Sequence, residues 1–455
     1  MLKSATILAT ALAAGFALAG CRGVAPPEER AARADFKAVE NNYRHGHHAL
    51  QLPELTNDSD INDFLRFAML RNPQVEAAFY DWEASVESIT VERSLPDPTL
   101  TFETYIAGTV TSLMPGLMMN FPGPGKLGAR AEAASAESRA KYFQFESSVL
   151  QTAYTVKQTA FPLLYLDAQI RVDRQTLALA GDLERLSRAQ DEVGKATLQD
   201  LLRAQIEQER LRTDIVNLED SRHSLMAQFK AALGLAPGEA DPPLPKMPAP
   251  APAGMSDDEL FAAALTNNPG LKEMQAEILV AEAGIRTAQK EKIPDFSAGF
   301  ETDVKASPVV WNPQFSVTLP MWRDKIASEI RAAEAGKHAA AARLTAGQIA
   351  LAVDFAGATF TVREADRELD LIHNRLLPRA RQSLDVSRGA YRSGQVDFLN
   401  VIDAERTLLA LQLDEIAMRV QRETALAQLS LIVAGLPPPD APLLDLPHAI
   451  ANTTR

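Results

Sequence analysis

The sequence predicts a mainly α-helical protein with a small β part, built from a duplicated helix–strand–strand–helix unit with long antiparallel coiled-coil helices. Three observations lead to this fold class. Short motifs recur at a spacing of roughly 200 residues, four short segments alternate apolar and polar residues, and two long segments each contain a single internal proline. The length of 455 residues by itself would instead suggest two or three globular domains.

Repeated motifs indicate the duplication. Asn72-Pro73 recurs as Asn268-Pro269, and Phe102-Glu103-Thr104 recurs as Phe300-Glu301-Thr302. A spacing that drifts only slightly along the chain indicates two copies of one unit with small insertions. Between the copies, a proline-rich stretch favours an extended linker. The predicted divisions are a signal peptide (1–20), an extended and lipidated N-terminal segment (21–56), a first repeat (57–236), the linker (237–254), a second repeat (255–436) and a C-terminal tail (437–455).

Each unit opens with a predicted helix, at 58–93 and at 256–292. Both helices should end ahead of a proline, Pro96 in the first unit and Pro294 in the second. The residue before a proline disfavours the α conformation, which gives a physical reason for a boundary there.

The long helices are predicted at 126–192 and 323–392, where only Pro162 and Pro378 interrupt the helical pattern. At 1.5 Å per residue, each segment would extend about 100 Å, a length for which a compact domain has no use. Apolar residues in the helices that return from them repeat with a period of 3.5. The sequence therefore predicts supercoiled antiparallel helices.

Four strands are predicted between the helices, at about 97–107, 111–122, 295–304 and 312–320, because apolar and polar residues alternate there. Their length of about ten residues is what a tilted strand needs to cross a bilayer. Four strands cannot close a barrel alone, so a membrane barrel requires strands from several chains. Ordinary hairpins on a soluble core remain the alternative. The polar face of a barrel would direct three carboxylates into a lumen: Glu103, Glu301 and Asp303.

The first twenty residues have the pattern of a secretory signal, with Lys3 followed by an apolar run. Leu18-Ala19-Gly20-Cys21 resembles the lipobox of bacterial lipoproteins, in which the cysteine becomes the acylated first residue of the mature chain. Two or more acyl chains would give lasting membrane attachment. A chance cysteine at the end of an ordinary signal is the alternative.

Composition excludes several classes of function. One cysteine cannot form a disulfide scaffold or a cysteine-based metal centre. A net charge of −13 argues against nucleic acid as a partner. His45, His47 and His48 form the only histidine cluster, and a solvated polar stretch explains them better than a metal site. No hydrolase, metalloprotease or phosphate-binding motif occurs, so we predict no enzyme, no cofactor and no resident metal.

The segment from Tyr391 to Arg406, YRSGQVDFLNVIDAER, resembles the signature turn of the TolC family of bacterial outer-membrane efflux factors, and Val193 to Gln205 is its first-unit partner. The duplicated unit, the lipobox and the linker match as well. The resemblance implies a homotrimer in which four strands per chain form one twelve-stranded barrel in outer-membrane lipid, above an α-helical tunnel through the periplasm. It also implies two partners, a periplasmic membrane-fusion adaptor and an inner-membrane RND pump that supplies the energy.

The segment Phe121-Pro-Gly-Pro-Gly-Lys126-Leu-Gly looks most like the heavy-metal branch, which exports cobalt, zinc and cadmium or copper and silver. The second copy, which starts at Leu319-Pro-Met-Trp322, has lost these glycines. The resemblance therefore implies a passive exit duct for metal cations. A multidrug or type I secretion channel of the same family is one alternative, and a non-conducting periplasmic scaffold lipoprotein is another.

The resemblance also implies site residues at the periplasmic tip. In well-known members, acidic side chains just after the second turn line the closed entrance and bind cations. The matching positions here are Asn400 and Asp403, with Asp397 one turn earlier, and Asp403 is the acidic candidate. Helix capping or plain surface exposure is the alternative role for Asp397 and Asp403. The turns themselves would meet the adaptor through Gly194, Lys195, Gly394 and Gln395.

Overall fold

The computed structural model describes residues 26–43, 52–106, 110–192, 197–246 and 256–433. Most of them are helical, and four strands form one sheet. The N-terminal half contains α1 (Pro27–Tyr43), α2 (Ile61–Arg71), α3 (Pro73–Arg93), β1 (Thr99–Ile106), β2 (Val110–Phe121), α4 (Lys126–Asp191) and α5 (Leu198–Ala232). The second half contains α6 (Asp257–Asn267), α7 (Pro269–Lys290), β3 (Asp295–Asp303), β4 (Val310–Thr318), α8 (Arg323–Leu371), a π-helical turn (Ile372–Leu376), α9 (Leu377–Arg392) and α10 (Phe398–Ile432).

Both halves contribute to the sheet, whose strand order is β1-β2-β3-β4 with every pair antiparallel. The central pair joins the two repeats, with Leu117 opposite Phe300 and Phe121 opposite Phe296. Neither repeat therefore has a complete sheet of its own.

The opening helix of each repeat is broken, which corrects the prediction of continuous helices at 58–93 and 256–292. Asn72 ends α2 and caps α3, its side chain accepting a hydrogen bond from the Gln74 amide at 2.9 Å. Asn268 does the same between α6 and α7, accepting from the Leu271 amide. A proline at the first position of a helix suits its fixed φ and missing N–H, so Asn-Pro starts a new helix.

The same two asparagines also connect the first helices of each repeat to the end of its last helix. The Asn72 amide donates to the carbonyl of Ala232 at the end of α5, and the Asn268 amide donates to the carbonyl of Ile432 at the end of α10, both at 3.0 Å. The repeated Asn-Pro motif is thus a fixed joint between the first and last helices of each unit.

The N-terminal segment contains a helix, which corrects the prediction that 21–56 is extended. Helix α1 packs Phe36 on Phe79 with ring centroids 5.2 Å apart, and Tyr43 on Phe79 at 5.0 Å. Val39 and Tyr43 are buried. These side chains recur at helical spacing, and contact with the main core stabilises a segment that is otherwise polar.

The internal prolines affect the two long helices differently. Helix α4 continues through Pro162. In the second repeat, a π-helical turn directly precedes Pro378. Proline lacks an N–H and its ring clashes with the carbonyl four residues earlier, and a π turn is one way of accommodating both effects.

The helices form a layer that extends from the sheet to a distant tip. Near the sheet, α4 packs between α3 and α7, and α7 also packs on α8. Near the tip, α4 packs between α5 and α10, and α10 also packs on α9. One edge of the layer consists of β1, α3 and α5, and the other of β4, α8 and α9. Within the described ranges, β1 pairs only with β2 and β4 only with β3, which leaves both sheet edges free. None of the helices in those ranges combines the length and the apolar composition of a membrane span.

Candidate functional site

The sheet has one apolar and one polar face. The strand register places Leu100, Leu117 and Phe300 on one face, together with Trp311 and Phe315. Trp311 is 66% exposed and Phe315 is 81% exposed. Large apolar side chains displayed side by side on a sheet are costly in water, so this face requires an apolar partner.

The opposite face carries the three predicted carboxylates, Glu103, Glu301 and Asp303. The Glu301 side chain is buried because it lies directly over Gly116 on the neighbouring strand. A Cβ atom added to Gly116 would be 2.4 Å from Glu301 Cγ, so only glycine leaves room for this side chain. The hydroxyl of Ser112 donates to Asp303 at 2.7 Å. The sheet thus has one apolar face and one acidic, polar face.

A buried lysine joins the sheet to the helices at the first strand-to-helix junction. Lys126 Nζ donates to Asp295 at 3.0 Å and to Glu291 at 3.1 Å, and the Gly123 amide donates to Asp295 at 2.7 Å. Burial alone lowers the pKa of Lys126, but the two carboxylates outweigh it and the net pKa is raised. Gly125, with a φ of 81°, turns the chain into α4 in a left-handed conformation that favours glycine. The junction of the first repeat is therefore tied to the start of β3 in the second.

The described tip turn links α9 to α10 at Gly394, which has a φ of 73°. The Gly394 amide donates to the Tyr391 carbonyl and the Gln395 amide to the Ala390 carbonyl, at 3.0 and 2.8 Å. This pair of hydrogen bonds is the Schellman ending, in which glycine adopts the left-handed conformation without a Cβ penalty.

The two tip hairpins pack on each other. The Tyr391 ring contacts the Phe398 ring at a tilted angle of 57° with centroids 5.4 Å apart, and the Tyr391 hydroxyl lies 3.3 Å from the Ser187 hydroxyl on α4. Arg406 on α10 forms an ion pair with Glu207 on α5 at 2.6 Å. Apolar side chains from both repeats fill the space between them: Leu183, Ala204, Leu384, Val401 and Ile402.

A match to a protein family decides which class of molecule has this architecture. The family described as outer membrane efflux protein matches residues 65–235 and 260–435, one match for each repeat. The chain belongs to this family. Membership confirms the predicted fold class, the outer-membrane channel function without enzymatic activity, and the location in the outer membrane with extension into the periplasm.

Two kinds of relatives place the chain within the outer membrane efflux proteins. The cobalt-zinc-cadmium resistance protein CzcC of Cupriavidus metallidurans is 23% identical over 359 residues, which cover 76% of this chain and 82% of CzcC. A solved structure of CusC has a TM-score of 0.72 and 17% identity, covering 86% of this chain and 95% of that one. The open state of the MtrE channel of Neisseria gonorrhoeae has a TM-score of 0.70 and 17% identity, covering 85% and 94%.

The predicted entrance residues of this efflux protein occupy one face of α10. Asp397, Asn400 and Asp403 follow each other at a spacing of three residues, and all three are exposed. Asp397 is at the N-cap position, but its side chain makes no capping hydrogen bond, in contrast to Thr197, which forms a capping box with Asp200. All three side chains are therefore accessible to solvent in the single chain.

Cys21, Gly194 and Lys195 lie outside the described residues, as do His45, His47 and His48. Gln395 is described and exposed at the tip. Within the described ranges, no group of three or more His, Cys, Asp or Glu side chains could hold a metal ion.

The charged residues that pack within and between the tip hairpins were not predicted from the sequence. Glu184 on α4 accepts hydrogen bonds from Gln208, Gln205 and Arg188, which lower its pKa to about 2. Glu405 on α10 is buried, and burial raises its pKa to about 7. The sequence does contain a signal that would have predicted the burial of Glu405. The residue follows Phe398 and Ile402 at the spacing of core positions in a helix, so an acid occurs within an apolar stripe.

Proposed function

We propose that three copies of this chain form an outer-membrane exit duct for heavy-metal cations, fed by an inner-membrane RND pump through a periplasmic membrane-fusion adaptor. The observation that carries the proposal is the open layer with two free edges, which extends from a sheet with one apolar and one polar face to a tip of two packed helical hairpins. Copies related by rotation can join one free edge to the other and so close a ring.

Closure explains both faces of the sheet. Joining β4 of one copy to β1 of the next would satisfy the free backbone groups at both edges, which a bilayer demands. The face with Phe102, Trp311 and Phe315 then contacts lipid, and the face with Glu103 and Glu301 lines water. An antiparallel barrel with an apolar exterior and a polar interior is the form in which strands cross an outer membrane.

Cations are favoured as cargo by similarity and by charge. CzcC, whose name describes cobalt, zinc and cadmium resistance, is similar over most of both chains. The net charge of −13 and the acidic polar face of the sheet favour cation passage over anion passage. The pump would select the cargo and provide the energy, and this chain would supply a passive route.

Cys21 is proposed as the lipid anchor, and helix α1 supports this assignment. Glu29 at the start of α1 is buried and forms ion pairs with Arg93 at 2.6 Å and Arg33 at 3.1 Å, which fixes α1 beside the end of α3. The stretch from Cys21 to Pro27 spans at most roughly 20 Å when fully extended. A cysteine within that distance of the end of α3, just before β1, can place acyl chains in the leaflet that the strands enter.

The tip is proposed as the periplasmic entrance. Asp403 from each copy would form an acidic ring that narrows the entrance and binds cations, with Asn400 and Asp397 on the same face. Gly194, Lys195, Gly394 and Gln395 would contact the adaptor. Opening would separate the tip hairpins when adaptor and pump dock.

A deletion strain complemented with the intact gene tests the cargo. We expect deletion to increase sensitivity to at least one of zinc, cobalt, cadmium, copper and silver, with no change for a panel of drugs, and complementation to restore growth. Sensitivity to drugs alone would contradict the metal assignment and favour the multidrug alternative.

Purified protein in planar bilayers tests conduction separately. An outer-membrane channel should give heat-modifiable trimers and discrete pores. A soluble Cys21→Ser monomer without pore activity would instead favour the non-conducting scaffold.

A further inference from the structure

A buried glutamate, Glu405, lies at the contact between the two tip hairpins. Its residue is 3% exposed, and both carboxylate oxygens lack a hydrogen-bond partner within the described part of the chain. Buried polar groups in native proteins are almost always paired, and an unpaired carboxylate strongly disfavours its charged form. Neither the entrance face of α10 nor the ion pairs between the hairpins account for this residue.

The charges that act on Glu405 come from α5, from α9 and from its own helix, α10. Arg388 on α9 and Arg406 on α10 favour its ionised form, whereas Glu207 on α5 opposes it. Arg406 is already bound to Glu207 at 2.6 Å, so its charge is largely neutralised. In the same layer, the carboxylate of Glu184 on α4 is occupied by Gln205, Gln208 and Arg188.

We propose that Glu405 is a proton-operated latch, which in its protonated form holds the two tip hairpins together and on ionisation favours their separation. This inference rests on the proposed function of the tip as a channel entrance. The neutral carboxyl fits the apolar contact formed by Val401 and Ile402. The carboxylate is disfavoured mainly by burial, with the charge of Glu207 as a smaller opposing effect, and it gains hydration only if water enters between the hairpins.

The direction of the pH effect follows from the two states of the group. Glu405 has a pKa of about 7 in the packed tip, compared with 4.5 for an ordinary glutamate in water. The packed state is therefore favoured most below about pH 4.5, where both states bind the proton. Its advantage falls as pH rises from 4.5 to about 7, and it changes no further above that range. Opening should accordingly become easier as pH rises.

The test compares the full-length protein with Glu405→Gln, which mimics the protonated form without changing the shape of the side chain. In planar bilayers, we expect the equilibrium between closed and open wild-type channels to shift toward the open state by roughly a hundredfold between pH 5 and pH 8, because the pKa of Glu405 differs by more than two units between the two states and each unit corresponds to a tenfold effect. Glu405→Gln should stay at the low value throughout. Asp414→Asn, which removes an exposed acid from the same helix, should respond as wild type does.

A second variant tests the neighbour that opposes ionisation. Glu207→Gln removes the repulsion and frees Arg406, so the midpoint of the pH response should shift to lower pH. An unchanged midpoint in Glu207→Gln, or an equal pH response in wild type and Glu405→Gln, would overturn the proposal.

Hydrogen exchange gives a measurement that does not depend on conduction. Exchange in the segment 398–410 should be faster in wild type than in Glu405→Gln at pH 8 and equal at pH 5, and comparison at matched pH cancels the intrinsic pH dependence of exchange. Equal rates at both values would overturn the latch. If wild type formed no pores at any pH, the channel function itself would fail, and the exchange comparison would still decide the role of Glu405.

Discussion

Lys126 shows at the scale of a single residue how the two repeats are joined. The position can be located from the sequence, because it follows the Pro-Gly-Pro-Gly segment after β2. Its partners could not be located, since Glu291 and Asp295 belong to the other repeat and reach Lys126 only through the pairing of β2 with β3. Contacts between distant segments depend on the register of the sheet.

Replacing Lys126 by alanine should destabilise the junction. The side chain is 4% exposed, whereas Glu291 and Asp295 remain half exposed and can be hydrated when it is lost. We expect a cost of about 1.5–3 kcal/mol, because hydrogen bonds to charged groups contribute in this range. The measurement is the temperature at which trimers dissociate in SDS, which should fall.

Lys325→Ala is the matched control at the second junction. The Lys325 side chain is 71% exposed, and its ion pair with Glu329 is long at 3.7 Å. Its replacement should therefore lower the stability by less than about 0.5 kcal/mol. Equal effects of the two substitutions would contradict the role assigned to Lys126.

At the scale of secondary structure, the strands were the most predictable elements. All four have bounds within two residues of the predicted ones, because a period of two sustained over eight or more residues is typical of a strand and does not fit a helix. The helix boundaries at Asn72-Pro73 and Asn268-Pro269 were missed, although the motif recurs in both repeats. Helix α1 was missed because its stability depends on Phe79, which lies far away in the sequence.

The two faces of β4 give a sharp test of the membrane assignment. Phe315→Arg places a charge on the apolar face, at a cost of about 2–4 kcal/mol if the residue lies near the middle of the bilayer. Gln314→Arg introduces the same side chain next to it, on the polar face. We expect only Phe315→Arg to reduce the amount of heat-modifiable trimer in outer-membrane fractions. A reversed or equal effect would show that the faces are assigned wrongly.

At the scale of the whole molecule, the acidic entrance is a property of the ring and not of one chain. The exposure of Asp403 could be predicted from its position in α10, but its role depends on symmetry-related copies. Asp403→Ala should weaken channel block by multivalent cations and alter single-channel conductance, because the charge is repeated around the axis.

Asp414→Ala is the control for Asp403→Ala, since Asp414 is also an exposed acid on α10 but lies farther from the tip. It should leave cation block at the wild-type value. If Asp403→Ala changed neither block nor conductance in bilayers, Asp403 would have no role at the entrance.

The pairing of β2 with β3 has a consequence for biosynthesis. Gly116 and Glu301 face each other in the sheet, yet the whole of α4 and α5 must be synthesised and exported between them. During that time, β2 is an apolar strand with one unpaired edge in an aqueous compartment, a state that invites aggregation. We therefore expect the newly exported chain to be prone to aggregation at β2 until its second half arrives.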